Sequence, residues 1–211
     1  MLPLTSYVKI FTALISIVDP VGAVPIVVSL TAGMSDRERR NIAPVTGFTV
    51  GVILVSSALF GKFILSFFGI SIGSFKIGGG IIILLMAVSM MQAHFVPARQ
   101  TAEEYQEAEE KKSIAVVPIA MPLLAGPAAI SAVIVYSQAP YEPLHITIIA
   151  LICILVAFLT WALLRAAGTV SRVMSRTAIN IVTRLMGLLL AAISVELITG
   201  GLAQIFPALT R

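Results

Sequence analysis

Two carboxylates stand in long apolar runs. Asp19 directly precedes Pro20-Val21-Gly22-Ala23-Val24-Pro25, and Glu196 lies deep in the last run. An ionisable group at membrane depth costs at least ~2.5 kcal/mol, so each is a candidate for binding substrate or coupling an ion. Asp19 has a second, compatible role, accepting the free N–H groups of a helix that restarts after a break. For Glu196 the competing reading is simple reach to water near the outer interface. Lys76 and Arg184 stand close to the ends of apolar runs, where snorkelling accounts for them.

The prolines carry as much information as the carboxylates. Pro122-Leu123-Leu124-Ala125-Gly126-Pro127 repeats the Pro-x4-Pro spacing of residues 20–25, again with a glycine inside. Proline has no N–H and disfavours helical geometry in the residue before it. Such pairs are expected to unwind or sharply kink each helix near the midplane. Backbone groups released there cannot face lipid, so they must line a cavity or meet a ligand. A packing kink is the alternative for one motif alone; two at matching places favour a binding site.

Other matches carry less. Gly69-Ile70-Ser71-Ile72-Gly73 fits the G-x-S-x-G nucleophile pattern, which needs a strand-to-helix elbow and a histidine base. Here it falls in a short turn, and His94 and His145 stand next to connections with no reason to approach Ser71. Gly78-Gly79-Gly80 lacks the Lys-Ser/Thr of a phosphate loop and reads, with Gly187, as close helix packing. No His/Cys/carboxylate cluster has metal-ligand spacing. No catalytic residue, metal or cofactor is implied, and the chain is not read as an enzyme.

The elements that must position these residues follow from composition. The chain has 211 residues, 58% hydrophobic and 11% charged, with mean hydropathy +1.03. An ordinary soluble domain is about a quarter charged. This composition excludes a soluble enzyme, a disordered chain and a disulfide scaffold; the single cysteine, Cys153, permits no internal disulfide. A pI of 9.5 could suggest nucleic acid, but the net charge is only +4 and the basic residues are scattered between apolar runs. No nucleic-acid partner is expected. The N-terminal run lacks a small-residue cleavage site and is read as retained.

Six candidate spans, approximately 7–31, 43–68, 72–92, 114–137, 145–167 and 179–206, meet the ~20 residues a crossing needs. The fold class is therefore an all-α membrane protein. Ser35 to Glu38 has capping-box spacing and would start the second helix. Residues 93–113 form the one long polar insert, with five glutamates between Glu103 and Glu110 and capping spacing again from Thr101 to Glu104. It reads as a solvated, charged cytoplasmic loop.

With the N-terminus outside, the cytoplasmic segments hold ten Lys and Arg and the opposite side four. Both termini are expected to face outward, away from the cytoplasm. The Pro-x4-Pro motifs are offset by 102 positions; Lys76-Ile77-Gly78-Gly79 and Arg184-Leu185-Met186-Gly187 are offset by 108. Residues 1–92 and 114–211 thus read as two three-helix repeats. An odd number of spans in each makes the second run upside down, with helices 1 and 4 discontinuous.

Asp-Pro-x-Gly-x-x-Pro at 19–25, Pro-Leu-x-Ala-Gly-Pro at 122–127, Lys-x-Gly-Gly-Gly at 76–80 and Arg-x-Met-Gly at 184–187 together resemble the MarC family of bacterial inner-membrane proteins. The resemblance covers essentially the whole chain in order. It implies an architecture similar to the LysE-type amino acid exporters and, for some members, transport of small neutral amino acids. Members often carry Asn where this chain has Asp19.

The expected mechanism is secondary transport by alternating access, with a site between the two broken helices. Half-helix ends offer N–H donors to a carboxylate and carbonyls to an ammonium, which suits a small zwitterion. The candidate binding residues are Asp19, Pro20, Gly22, Ala23, Pro25, Pro122, Ala125, Gly126, Pro127 and Ala128; the ion-coupling candidates are Asp19 and Glu196. A coupling ion (H+ or Na+) and a homo-oligomer stay open, as do a multidrug or metabolite exporter, a channel and a non-transporting scaffold.

Overall fold

The computed structural model describes residues 2–31, 36–92, 124–138 and 142–210. Its elements are α1 (Leu4–Val18), α2 (Pro20–Leu30), α3 (Asp36–Phe67), α4 (Ile72–Met91), α5 (Pro127–Ser137), α6 (Pro143–Arg165), α7 (Ala167–Val173), α8 (Arg176–Ile205) and a closing 3₁₀ turn, Pro207–Thr210. All regular structure among the described residues is helical.

Among the described residues, five segments are long and apolar enough to cross a bilayer: Leu4–Val28, Ile42–Phe67, Ile72–Met91, Pro143–Arg165 and Thr177–Ile205. Of the expected fourth span, 114–137, only the second part falls within the described residues. α5 has 11 residues. It reaches about 16 Å, roughly half the ~30 Å hydrocarbon core. Residues 114–123 with Pro122, the insert 93–113 with Thr101 and Glu104, His94 and Ser35 lie outside the described residues.

The first span is the central one. Two-thirds of its apolar window is buried, against about a third of each of the others. The remaining spans turn Phe48, Phe63, Phe67, Leu85, Phe158 and Leu188 outward. Such large exposed apolar side chains match a lipid-facing surface.

Close packing rests on small residues. α4 and α8 run antiparallel, with small residues at every seventh position on both: Gly73, Gly80 and Ala87 oppose Gly201, Ser194 and Gly187. A Cβ on Gly201 would stand 2.7 Å from the Gly73 carbonyl oxygen, and one on Gly80 would stand 3.0 Å from that of Ser194. Side chains at these sites would force the backbones apart. Gly79 instead faces α5, where a Cβ would meet that of Ser131 at 3.0 Å, and Gly187 faces the Ala87 carbonyl at 3.0 Å. Gly78 differs from the packing role expected of it. A Cβ there would meet nothing within 4 Å, because this face of α4 points away from its neighbours.

α3 packs mainly on α6 and α5. A buried histidine ties this region to α1. Tyr7 Oη lies 3.0 Å from His145 Nδ1, and His145 Nε2 lies 2.8 Å from the Tyr136 carbonyl oxygen. A carbonyl only accepts, so Nε2 carries a proton; with a neutral ring the Tyr7 hydroxyl then donates to Nδ1. His145 is fully buried, a structural clip between α1, α5 and α6.

Candidate functional site

The first break occupies one residue. Asp19 has φ 39° and ψ 61°, a left-handed conformation that ends α1, and its N–H donates to the Ile15 carbonyl at 3.0 Å. Asp and Asn tolerate this region better than most side chains. The same residue starts α2: its Oδ1 accepts from the Gly22 N–H at 3.0 Å, and its carbonyl accepts from the Ala23 N–H at 3.2 Å. Asp19 is thus C-cap of one helix and N-cap of the next.

This geometry corrects the expectation of unwinding across 20–25. Pro20 takes the first helical position, where an N–H would have no intrahelical partner anyway. Pro25 lies inside α2, which continues to Leu30. The chain leaves helical geometry only at Asp19. Because Pro20 has no N–H, the carbonyl of Ser16 lacks its i+4 donor.

Thr183, on α8, donates its hydroxyl to Asp19 Oδ2 at 3.4 Å. One turn along, Met186 Sδ receives the Ser16 hydroxyl at 3.1 Å, which also reaches the Thr12 carbonyl at 2.7 Å. Asp19, Ser16 and Thr183 are all buried. The sequence reading did not single out Thr183. Its signal was its place on the inward face of the last span, seven residues before buried Leu190.

The second break differs in kind. Leu124 and Ala125 are buried, Gly126 is extended (φ −72°, ψ −177°), and Pro127 opens α5. The Gly126 carbonyl accepts from the Ile130 N–H at 3.1 Å, but no side chain caps this helix. Ala128 and Ala129, the next two residues, are buried. An N-terminus with no capping side chain keeps the capacity to receive an anionic group. At α2 that capacity is already taken by Asp19, so Gly22 is not a free donor for a ligand carboxylate.

Of the other candidates, Pro20, Gly22 and Ala23 are buried beside Asp19, and Pro25 is half-buried. Pro127 is exposed. Val18, Ala23, Leu124, Ala125 and Ala128 belong to one continuous apolar cluster, which joins the two breaks through the core. Glu196 stands apart. It is exposed on α8, 13 residues beyond Thr183 and therefore about 20 Å further along that helix. The two ion-coupling candidates do not form one site. Ser71 of the G-x-S-x-G match caps α4, accepting from the Ser74 N–H at 3.1 Å, next to Gly69 with φ +65°.

Apolar spans, lipid-facing aromatics and a capped break in the central span define an integral, multi-pass helical membrane protein. The chain belongs to the MarC family: the sequence model described as "MarC family integral membrane protein" matches residues 4–206. It is 41% identical over 206 residues to a "UPF0056 membrane protein" of Buchnera aphidicola subsp. Acyrthosiphon pisum, covering 98% of this chain and 96% of the relative. "UPF0056 membrane protein YhcE" of Escherichia coli is 38% identical over 203 residues, covering 96% and 94% respectively. A relative in Methanocaldococcus jannaschii is 38% identical over 197 residues, covering 93% of this chain and 95% of its own. No solved structure matches.

Proposed function

We propose that the chain is a secondary transporter of small neutral amino acids, glycine- or alanine-like, with its site at the two helix breaks. The observation that carries this reading is their chemical difference. One break holds a buried carboxylate beside a carbonyl lacking its helical donor; the other presents a helix N-terminus with no capping side chain. A zwitterion matches both, its ammonium toward Asp19 and the Ser16 carbonyl, its carboxylate toward the N–H groups of Ala128 and Ala129. The small residues Ala23, Ala125 and Gly126 at the breaks let a ligand approach the backbone closely, which favours a short side chain.

The breaks also support an inverted repeat. Asp19-Pro20 and Gly126-Pro127 are each a cap residue followed by a proline at the first helical position. Their offset is 107, within one of the 108 between Lys76 and Arg184. Two such halves rocking against each other would expose the site alternately. The orientation proposed is that of the charge count, with both termini periplasmic in an inner membrane.

The test is counterflow of labelled glycine and alanine in proteoliposomes, with Gly126→Val in parallel. Saturable exchange lost in a folded Gly126→Val protein is the expected result; no exchange of any small neutral amino acid sinks the substrate assignment. With a proton as coupling ion, Asp19→Asn retains counterflow while uptake driven by a pH gradient disappears.

A further inference from the structure

A cavity of about 440 Å³ opens at the end of the bundle where α2 finishes, α3 begins and α6 turns into α7. Its walls are of two kinds. Val27, Ile42 and Leu164 form an apolar side; Thr31, Arg165 and Arg172 contribute polar groups. The three apolar residues and Thr31 are buried, whereas both arginines are exposed at the rim. Arg165 closes α6 and Arg172 lies in the last turn of α7, so the chain brings both to one mouth. From Pro143 to Val195 the sequence contains no Asp or Glu, and α6, α7 and nearly all of α8 offer these cations no carboxylate.

A small neutral amino acid fits this cavity poorly. Its single carboxylate would use one guanidinium, and it has no hydrocarbon to cover the apolar wall. An anion with a long apolar tail fits both walls. Arginine forks match phosphate oxygens, and basic recesses between spans on the side rich in Lys and Arg bind acidic head groups. This is also the end to which the charge count assigns the larger share of Lys and Arg.

We propose that this cavity holds the head group of an anionic phospholipid. Arg165 and Arg172 engage its phosphate, and an acyl chain runs along Val27, Ile42 and Leu164. The lipid would then join the end of α2 to α6 and α7. This assignment does not depend on the transport reading.

The test uses the purified full-length protein, stripped of lipid in detergent and observed by native mass spectrometry. Dioleoyl phosphatidylglycerol and dioleoyl phosphatidylcholine are added at equal concentration. Phosphatidylglycerol should be retained preferentially, and Arg165→Gln and Arg172→Gln should each lower its retention about fivefold. Arg184→Gln, which is not part of the cavity lining, should leave it unchanged. Ile42→Phe, which fills the apolar wall without altering charge, should lower retention independently and guards against a misfolded arginine variant. Equal retention of the two lipids, or wild-type retention in the Gln and Phe variants, would overturn the proposal. Displacement of the lipid by equimolar inorganic phosphate would overturn the lipid as occupant and leave a plain phosphate site.

Discussion

The Thr183 hydroxyl reaches Asp19 Oδ2 at 3.4 Å across 164 positions of sequence, and through it α8 holds the one left-handed residue of the first span. The other carboxylate oxygen caps α2. Both oxygens of Asp19 are therefore engaged within the protein, and any ligand at this break must share or displace the Thr183 contact.

Asp19→Asn should be tolerated, because an amide oxygen can still cap Gly22 and Asn accepts the left-handed conformation. Asp19→Ala loses the cap and strains the backbone. It should destabilise by about 2–3 kcal/mol, from a cap worth ~1 and a left-handed penalty of ~1–2. Ranking of apparent thermal unfolding in detergent checks this: wild type near Asn, with Ala well below.

Thr183→Val removes one hydroxyl without changing shape. The long contact predicts a loss of only about 1 kcal/mol. In an Asp19→Ala background the same change should cost close to nothing, since the acceptor is gone. A double-mutant cycle reads the difference directly; additive losses would mean that the two side chains do not interact.

The glycines of α4 and α8 give a paired prediction. Gly201→Ala drives a Cβ against the Gly73 carbonyl, a backbone atom that cannot rotate away, and should cost about 1–3 kcal/mol. Gly78→Ala meets open space and should be neutral or stabilising by up to ~1 kcal/mol, through reduced freedom of the unfolded chain. Opposite shifts in thermal unfolding are the expected outcome.

Tyr7→Phe leaves a buried imidazole nitrogen without its donor. A loss of about 1–3 kcal/mol is expected, and His145→Gln should do no better, because it must satisfy both Tyr7 and the Tyr136 carbonyl at once. Unfolding of the two single variants and the double variant tests whether they act as one unit.

Apolar runs marked four spans to within two residues at each end, because length and hydropathy suffice when a helix faces lipid. The break in the first span was legible from Asp19-Pro20, and so was the capping of the following helix by Asp19; its second role, ending α1 in a left-handed conformation, was not. What could not be read was its extent. Proline chemistry alone predicts disruption at both Pro20 and Pro25, whereas a carboxylate placed for capping confines it to one residue. The α4–α8 seam was present in the spacing of Gly73, Gly80 and Ala87, yet Gly78-Gly79-Gly80 drew attention to a run instead of a period. The contacts of Thr183 and His145 were not legible for another reason. Their importance comes from residues on other helices, and nothing local to either one announces a partner 164 or 138 positions away.

The interleaving of early and late helices has a consequence during synthesis. α4 finds its principal partner only in α8, which begins about 85 residues later. At a ribosomal rate of roughly 5–20 residues per second, its glycine-lined face waits about 4–17 s in the membrane before that partner emerges. During that interval Gly73 and Gly80 have no partner backbone to meet. The nascent chain would therefore depend on the insertion machinery, or on lipid filling the groove, to keep α4 from pairing with a neighbouring protein.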